Sequence, residues 1–352
     1  MSKKVFDNFT RLKNYLNIQP INTGQEINIG GIVSDDLEHL HAMGSVSGEC
    51  IHLMSGVEFS INEYRGQNQE FTPCLSSLDR ITKDHELFSA LCRSEYFEQA
   101  LTHHPVIKNA QSYRFSPDRI DLHLPLCINL QAIGQHYGLE TEYLDITNNF
   151  SVASFFATQR WNNKTKKFEP MRAAKLPGVI YKLMPTFLLN EGLDGQPLSY
   201  VPVGWQPFPR PEKQRANAIH LNPGEDFIKK RGIASFYFHH SYNQSKRIYE
   251  EFEGGEALIP VDALSDFAEN LMAKTCFPES TIKKAFQRYR SRKKLPNTVR
   301  NCTHIMIEAG ITQEPKDSFE TLNWDFSKQE FENELQRLNK RIRWRLASYA
   351  RS

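Results

Sequence analysis

An arginine followed directly by a glycine is the first candidate for chemistry in this sequence. Arg65 falls late in a strand expected over residues 60–66, and the missing Cβ of Gly66 lets a ligand approach the backbone closely. A planar guanidinium beside an accessible backbone is suited to hold a phosphate group. In the alternative interpretation, Arg65 pairs with Glu63 or Asp145 and serves only the fold.

Hydroxyl and amide side chains form the second candidate, at the expected junction between a strand and a helix. Thr147, Asn148 and Asn149 follow a strand expected over residues 141–146 and can cap the helix that comes next. Backbone N–H groups at such a helix start are free to meet an anionic or polar ligand. Helix capping alone explains the same residues, so both roles stay open.

The third candidate is a carboxylate beside a pair of glycines. The run Glu253-Gly254-Gly255-Glu256 predicts a turn, which delivers Glu256 to the first position of a strand expected over residues 256–261. Taken without further context, an exposed acidic turn is the simpler interpretation of these residues.

Helices and strands are needed to bring these candidates together. Leu130, Ile133 and Tyr137 repeat at helical spacing, and Gly138 stands where a helix end favours a left-handed residue. Strands are expected over residues 60–66, 141–146, 179–184, 233–239 and 256–261, with helices between some of them. This order indicates an α+β fold with a mixed or antiparallel sheet at its core and flanking helices.

The segments around this core divide the chain into three parts. Residues 1–58 combine an amphipathic helix over 4–17 with a β-rich lead-in, residues 59–262 form the core domain, and residues 263–352 are a basic helical region. This helical region is expected either to cap the core or to form a separate lobe. Residues 185–224 are rich in proline and glycine and predict a long ordered loop that lines a site.

Composition excludes several classes of protein. The 352 residues are 39% hydrophobic and 24% charged, which is ordinary for a globular protein. No apolar run reaches the roughly 18 residues of a membrane span, and the first residues lack the apolar segment of a signal peptide. Six cysteines are scattered without a CxxC pair, so neither a disulfide framework nor a zinc site is expected, and a cytoplasmic location is predicted.

Charge is distributed unevenly along the chain. Residues 271–352 hold 17 Lys and Arg against 9 Asp and Glu, whereas the rest of the chain holds 26 against 32. Phe286 and Tyr289 are interleaved with basic residues, and Trp344 and Tyr349 repeat this pattern in the tail. Nucleic-acid grooves combine basic and aromatic residues in this way to neutralise phosphates and stack bases. In the alternative, the basic end and the acidic front attract each other within the fold.

Several of these residues lie in motifs that resemble the FRG-domain family. That family begins with an aromatic-Arg-Gly motif, which Tyr64-Arg65-Gly66-Gln67 matches. A proline-leucine-arginine run follows in the family, and its counterparts here are Pro73, Leu75, Leu78 and Arg80. The second signature is a helix ending in QHYG, a strand ending in LLDWT and a helix ending in ALFFA. The sequence matches these pieces at residues 135–138, 144–147 and 153–157.

The match to the FRG pattern covers about residues 60–260 and departs from it at two positions. Glu142 stands where the family usually has arginine, and Ile146 stands where it usually has tryptophan. A ligand contact that the family makes through either residue does not carry over to this chain.

Together, the three candidates resemble the arginine-serine-glutamate class of ADP-ribosyltransferases. In that class a strand arginine binds the phosphate of NAD, a Ser-Thr-Ser strand end precedes a helix with a phenylalanine-rich end, and a glutamate before a Val-Leu-Ile-Pro-like strand is catalytic. Arg65, Thr147 and Glu256 occupy these places in the same order, with Phe156 at the helix end. Asp-Ile-Thr replaces Ser-Thr-Ser. Gly254 replaces the usual Glu or Gln, which argues against an arginine-modifying toxin and leaves another acceptor open.

The resemblance implies a reaction and a role for each residue. Cleavage of the nicotinamide bond of NAD passes through an oxocarbenium-like state that the Glu256 carboxylate would favour electrostatically. Arg65 would hold the diphosphate, Gly66 would offer backbone groups to the nicotinamide amide, and an aromatic residue would flank the ring. No metal is needed. The other NAD-binding positions, including the two aromatic candidates, are Tyr64, Phe156, Thr147 and Asn148.

The expected function is therefore NAD-dependent ADP-ribosylation of a macromolecule. The basic C-terminal region makes RNA or DNA a slightly better acceptor than protein. Such an activity harms its host, which fits a toxin or an anti-phage effector held in check by an inhibitory partner.

Two alternatives from other classes stay open. The first is a nucleotide- or nucleic-acid-binding module on a transferase-like fold, whose mark would be Glu256 facing away from the cleft between Arg65 and Thr147. The second is a nuclease with carboxylates around a metal, and its candidate ligands are Glu63, Asp145 and Glu253.

Overall fold

The structure is a computed structural model that describes most of the chain. The described residues are 5–16, 27–28, 32–33, 39–45, 48–55, 62–117, 121–184, 199–296, 302–315, 319 and 327–344. Within them, a seven-stranded sheet is packed against helices.

Strands are numbered in chain order. They are β1 (Val5–Phe6), β2 (Ile27–Asn28), β3 (Ile32–Val33), β4 (Leu40–Gly44), β5 (Ile51–Ser55), β6 (Glu63–Gln67), β7 (Tyr143–Thr147), β8 (Gln159–Asn162), β9 (Lys167–Pro170), β10 (Gly178–Leu183), β11 (Tyr200–Pro202), β12 (Ala216–His220), β13 (Ile233–Phe238), β14 (Cys276–Phe277), β15 (Thr312–Gln313) and β16 (Ile342–Arg343).

Helices are numbered in the same way. They are α1 (Phe9–Tyr15), α2 (Asp84–His103), α3 (Pro105–Ser112), α4 (Leu130–His136), α5 (Phe150–Thr158), α6 (Pro209–Lys213), α7 (Tyr242–Glu251), α8 (Ala263–Met272), α9 (Glu279–Arg292), α10 (Thr303–Glu308) and α11 (Lys328–Arg341). In the described part of the chain, none of them combines the length and the apolar character that crossing a membrane requires.

The central sheet confirms the α+β class. Its strand order is β1-β13-β10-β6-β7-β12-β11, with β1 parallel to β13 and the other neighbours antiparallel. Four of the predicted strands are present as β6, β7, β10 and β13. Helix α4 ends before Gly138, whose φ is +89°, as the sequence predicts.

Two strands at one end of the sheet were not predicted from the sequence. β11 and β12 lie within residues 185–224, which were expected to be a loop. Pro202 is tolerated because β11 is the edge strand of the described sheet, where it pairs with β12. Residues 185–198 of the expected loop lie outside the described residues.

β6 separates two apolar cores because its side chains alternate between the faces of the sheet. Tyr64 points to the face covered by α1 and α5, where its ring meets Phe150 edge-on with centroids 5.3 Å apart. Arg65 is paired with Tyr181 of β10 and points to the opposite face. Ile146 and Tyr181 belong to the apolar core of that second face.

The C-terminal helices pack against the core and do not form a separate lobe. α9 lies along α2, and α8 and α11 contribute buried side chains to the same apolar core. Phe286 and Tyr289 of α9 are each only 7% exposed and stack on each other inside this core. These two aromatic rings are therefore not available to stack on nucleic-acid bases.

Arginines of α9 account for much of the attraction between the basic end and the acidic front. Arg288 donates to both carboxylate oxygens of Glu142, at 3.0 and 2.7 Å, and to Glu95 at 2.9 Å. Arg292 donates to Glu142 at 3.1 Å and to Asp79. Although burial alone would raise the pKa of Glu142, the two arginines hold it below its usual value. For α9, the interpretation as an internal attraction is confirmed.

The basic tail is described only in part. Arg341 pairs with Glu212 at 3.3 Å, so this tail arginine also faces an acidic residue of the core. Arg345 and Tyr349 lie outside the described residues.

A disulfide links two of the scattered cysteines, although no disulfide framework was expected. Cys50 and Cys127 are bonded, with their Cα atoms 5.2 Å apart, and they are separated by 77 positions in the sequence. Main-chain bonds between Ile51 and residues 125–127 run alongside the disulfide. The link ties the small sheet of β4, β5 and β16 to the segment that leads into α4.

Candidate functional site

Arg65 lies where the ladder between β6 and β7 stops. These strands are paired at a single position, Tyr64 opposite Thr147. Beyond it, Arg65 Nη1 donates to the main-chain oxygen of Asp145 at 2.6 Å. The other terminal nitrogen, Nη2, donates to no residue that the structure describes. One side of the guanidinium is therefore fixed and the other is available.

Arg80 brings a second guanidinium close to the first. It ends the 3₁₀ turn Leu78–Arg80, and burial, followed by the positive charge of Arg65, lowers its pKa. Neither arginine forms an ion pair with a carboxylate in the described part of the chain. Two like charges repel each other, so an anion near both would be bound favourably.

The carboxylate at the start of β6 does not offset this charge. Glu63 is 2% exposed and accepts hydrogen bonds from Asn217 at 3.0 Å and from Tyr200 at 3.3 Å. Burial raises its pKa to about 8, against the opposing effect of these two hydrogen bonds. Burial therefore favours the protonated, uncharged form of Glu63.

Among the described residues, three buried polar atoms on the Arg65 face have no hydrogen-bond partner. They are Arg65 Nε, Gln67 Oε1 and the phenol oxygen of Tyr181, a residue that is fully buried. Leaving such an atom unsatisfied costs about 1–3 kcal/mol, so native structures supply water or a ligand. Cys74 lies beside them, with Gln67 Nε2 3.8 Å from its sulfur, and burial raises the pKa of its thiol. The thiol of Cys74 is therefore neutral and packs as a small apolar group, and it is not a nucleophile.

A buried polar chain lies behind Asp145 on the other face of β7. His136 Nε2 is 3.7 Å from Asp145 Oδ1, and Gln135 donates to Oδ2 at 3.4 Å. His136 Nδ1 is 3.0 Å from Gln214 Oε1, so Nδ1 carries a proton that it donates to this carbonyl oxygen. With the proton on Nδ1, His136 Nε2 is an acceptor, and both Nε2 and Asp145 Oδ1 are buried without a hydrogen-bond partner among the described residues. Within the QHYG motif it is therefore Gln135 that hydrogen-bonds Asp145, whose side chain is 34% exposed.

Thr147 and Asn148 are held by bonds within the fold. Thr147 Oγ1 donates to the main-chain oxygen of Gln214 at 2.8 Å and accepts from Asn149 N at 3.1 Å. Asn148 Nδ2 donates to the main-chain oxygen of Ser55 at 2.9 Å. Asn149 accepts from the first backbone N–H groups of α5 and is its N-cap, which confirms the predicted capping.

Gly66 accommodates a helix at the position where a ligand was expected. A Cβ on Gly66 would lie 1.8 Å from the main-chain oxygen of Ala153, so α5 rests directly on β6. Tyr64, at 7% exposure, packs under the same helix. The backbone of Gly66 and the ring of Tyr64 therefore face α5 rather than an open cleft.

The predicted strand over residues 256–261 was wrong. The chain forms the 3₁₀ turn Glu253–Gly255 and continues in turns, with Gly254 and Gly255 at φ of 72° and 109°. Leu258 and Ile259 pack against the outer side of α5 and pair with none of the described strands. A short apolar run in a sequence is compatible both with a strand buried in a sheet and with a turn buried against a helix.

Helix α5 stands between Glu256 and Arg65. Ala153 on one side contacts Gly66 of β6, whereas Phe155 on the opposite side contacts the turn at Gly255. A helix with its side chains is about 10 Å across. Glu256 itself is exposed to solvent. The structure does not bring Glu256 and Arg65 into one cleft.

Phe156 lies on the same outer side of α5. Its ring centroid is 6.1 Å from that of Phe168, in a cluster that also includes Phe252. Of the predicted site residues, the structure therefore places Arg65 and Thr147 on β6 and β7, and Phe156 and Glu256 beyond α5.

The carboxylates proposed for a nuclease do not form a metal site. Within the described ranges, no group of three or more His, Cys, Asp or Glu residues is placed to hold a metal ion. Glu63 is buried in the sheet, whereas Glu253 is exposed on the turn beyond α5.

Three residues of the site were not predicted as such from the sequence. Arg80 carried a signal, because it lies in the proline-leucine-arginine run after the first motif. Gln67 ends that first motif and shares a face with Arg65. Tyr181 carried none, because its place opposite Arg65 depends on a strand pairing across more than a hundred residues.

The comparisons with known proteins agree with the first of the two resemblances. Residues 61–166 match the family model of the FRG domain, and this match supports the FRG family for the chain. It covers β6, Arg80, α2, α4, β7 and α5, which together hold most of the site. No curated protein and no solved structure matches the chain.

Proposed function

We propose that this chain binds a nucleotide through its phosphate groups, at the pair formed by Arg65 and Arg80. The observation that carries the proposal is that Arg80 lies close enough to Arg65 for the charge of Arg65 to lower its pKa, and that neither guanidinium has a carboxylate partner among the described residues. A phosphate accepts planar, charge-assisted hydrogen bonds from guanidinium groups. An anion bound there would also remove the repulsion between the two arginines.

Two guanidinium groups suit a diphosphate better than a single phosphate. Arg65 Nη2 would meet one phosphate and Arg80 the other, while Nη1 stays on Asp145. The unsatisfied atoms of Gln67 and Tyr181 support a polar ligand group, or the water that it orders, deeper in the site. NAD is the diphosphate that the resemblance suggests.

ADP-ribosyl transfer from NAD to a macromolecule is the second candidate function. Asp145 is the candidate carboxylate for it, because Arg65 contacts the main-chain oxygen of this residue and its side chain, on the α4 side of β7, is partly exposed. A carboxylate beside the ribose would stabilise an oxocarbenium-like state. In this function Asp145 takes the role expected for Glu256. RNA, DNA and protein are the acceptors to test, and a toxin or anti-phage role with an inhibitory partner depends on this second function.

Calorimetric titration with NAD, ADP-ribose and inorganic pyrophosphate tests the binding function. Arg80→Ala and Arg65→Lys are each expected to weaken binding of NAD at least about tenfold, because one charge-assisted hydrogen bond contributes roughly 1.5–3 kcal/mol. Arg160→Ala is the matched control, since Arg160 is exposed and pairs with Glu169 at 2.7 Å. Unchanged affinity in both site variants, or no binding of any phosphate compound, would contradict the proposal.

Radiolabelled NAD with mixed RNA, DNA and protein then separates the two functions. Label on one acceptor class that is lost in Asp145→Asn and kept in Glu256→Gln would support transfer with Asp145 in the site. Loss in Glu256→Gln alone would restore the role expected for Glu256. NAD binding without transfer or nicotinamide release would leave the binding function.

A further inference from the structure

We propose that a cavity between the segment before α6 and helix α11 binds an organic cation with N–H donors, an alkylammonium or alkylguanidinium group. The cavity has a volume of about 320 Å³. It is separate from the arginine pair, and the inference goes beyond the proposed function and does not depend on it.

Aromatic rings form the apolar wall of the cavity. Trp205, Phe208 and Phe331 line it and are 5%, 3% and 5% exposed, and Leu264 adds an aliphatic surface. The negative faces of such rings attract cations, most strongly where water is excluded. The wall therefore suits a ligand that has both an alkyl part and a positive charge.

The polar side chains of the lining are almost all acceptors. Gln206, Glu212, Asp262 and Glu334 contribute carbonyl or carboxylate oxygens, and no lysine, arginine or histidine is among the described residues that line the cavity. The side-chain donors in this set are the indole N–H of Trp205 and the amide of Gln206, and the amide N–H groups of Gln206 already donate to main-chain oxygens. A ligand complementary to this lining must donate hydrogen bonds and carry positive charge.

The side-chain oxygen of Gln206 lacks a hydrogen-bond donor among the described residues. This residue is 2% exposed, and its Nε2 donates to the main-chain oxygens of Val203 at 2.8 Å and Cys127 at 3.3 Å. These two bonds fix the orientation of the amide, and Oε1 is buried without a partner. Buried acceptors are normally satisfied, so an N–H group in the cavity would complete this one.

The carboxylates of the lining are only partly balanced. Glu212 pairs with Arg341 at 3.3 Å, and Asp262 accepts from Tyr137 at 2.5 Å and caps α8. Glu334 at the rim forms no ion pair with a described residue. Withdrawal of its carboxyl from water, and then the charge of Glu212, raise the pKa of Glu334, although Arg337 and Arg341 oppose this. A bound cation would relieve this repulsion between carboxylates.

The size of the cavity limits the ligand to a small group. Ligand sites in proteins span about 300–1,000 Å³, and this cavity is at the lower end of that range. A free amine or guanidine and the side chain of a lysine or arginine share the required chemistry. The test therefore includes both sources.

Calorimetry with the purified full chain tests the inference. The probes are butylguanidinium, butylammonium and the neutral butylurea, together with a blocked Gly-Arg-Gly peptide. Both cations are expected to bind at least about tenfold more tightly than butylurea, because cation–π and charge-assisted contacts are lost with the charge. Tighter binding of the peptide would identify a protein side chain as the source, and tighter binding of the free cations would identify a small molecule.

Substitutions on α11 provide the matched control. Glu334→Gln is expected to weaken butylguanidinium binding about fivefold to tenfold, whereas Glu332→Gln leaves it unchanged, since Glu332 faces Lys328 and does not line the cavity. Both side chains are at the surface, so both variants are expected to fold, which circular dichroism checks. Equal binding of butylurea and butylguanidinium, equal effects of the two variants, or no binding of either cation would each overturn the inference.

Discussion

Two pairs of arginines in this chain have opposite surroundings. Arg288 and Arg292 on α9 meet carboxylates from three segments of the core, namely Asp79, Glu95 and Glu142. Arg65 and Arg80 meet no carboxylate in the part of the chain that the structure describes. The first pair is a structural tie between two ends of the chain, and the second is a place where an external anion fits.

Glu142 shows how the two pairs are related. It stands where the FRG resemblance expects arginine, and it accepts hydrogen bonds from both arginines of α9. The positive charge at this position is therefore supplied by Arg288 and Arg292 of α9, which are 146 and 150 residues further along the chain. The reversal of charge at residue 142 is compensated within the fold.

Breaking the structural pair is expected to have the largest effect on stability. Arg292→Ala leaves Glu142 and Asp79 without one of their cations, and removing one partner of a buried pair costs about 3–5 kcal/mol. Urea unfolding of the variant and the parent measures this difference. Adding Glu142→Gln to Arg292→Ala is expected to recover part of the loss. A loss below about 1 kcal/mol would mean that the pair on α9 contributes no more than a surface ion pair.

The protonation state of Glu63 decides whether Arg65 and Arg80 have a negative charge nearby. Its pKa is about 8 in the folded protein against a usual value of 4.5, so its contribution to stability is complete below pH 4.5 and is lost as the pH rises to about 8. Glu63→Gln keeps an acceptor for Asn217 and Tyr200 and cannot ionise. We expect this variant to be more stable than the parent by about 3 kcal/mol at pH 7, with no gain near pH 4.

Urea unfolding of parent and Glu63→Gln at several pH values measures this difference, and subtraction removes the contribution of groups common to both proteins. A difference that does not change between pH 4 and pH 8 would show that Glu63 is ionised in the folded state. Arg65 would then have a carboxylate nearby, and the contrast between the two pairs would weaken.

Removing Arg80 is expected to have the smallest effect on stability. Because Arg80 has no described ion-pair partner and is repelled by Arg65, Arg80→Ala should change the free energy of unfolding by no more than about 0.5 kcal/mol. Thermal or urea unfolding with and without pyrophosphate checks this. The anion should stabilise the parent and not the variant. A loss above about 2 kcal/mol without pyrophosphate would assign Arg80 a structural role instead.

Local patterns in the sequence were sufficient for the elements nearest the site. The repeat of Leu130 and Ile133 with Gly138 predicted α4, and the polar run before Phe150 predicted the start of α5. These features depend on spacing and capping, which neighbouring residues determine. The strand at 256–261 failed because Leu258 is buried by aromatic rings of α5 and not by a sheet, which depends on distant residues.

The site itself was predicted only in part, for the same reason. Arg65 was predicted late in a strand and Thr147 directly after another, since both lie in recognisable motifs, whereas the pairing of these two strands was not predicted. The second arginine of the site is Arg80. No spacing in the sequence predicts that an arginine in a 3₁₀ turn lies near an arginine in a strand. Whether a glycine such as Gly66 faces a ligand or a helix is likewise decided by packing that the sequence does not display.

The contact between Gly66 and Ala153 has a consequence for the entropy of binding. It joins main chain to main chain, so no side chain is present that could rearrange to let β6 and α5 move apart. Arg65 is therefore carried on a strand held from one face by a helix and from one edge by β10, with its own Nη1 fixed on Asp145. A ligand meets a guanidinium that has already lost most of its conformational freedom, so less is lost on association. Gly66 was expected to make room for a ligand. Its contact with α5 instead fixes the strand that presents Arg65 to a ligand.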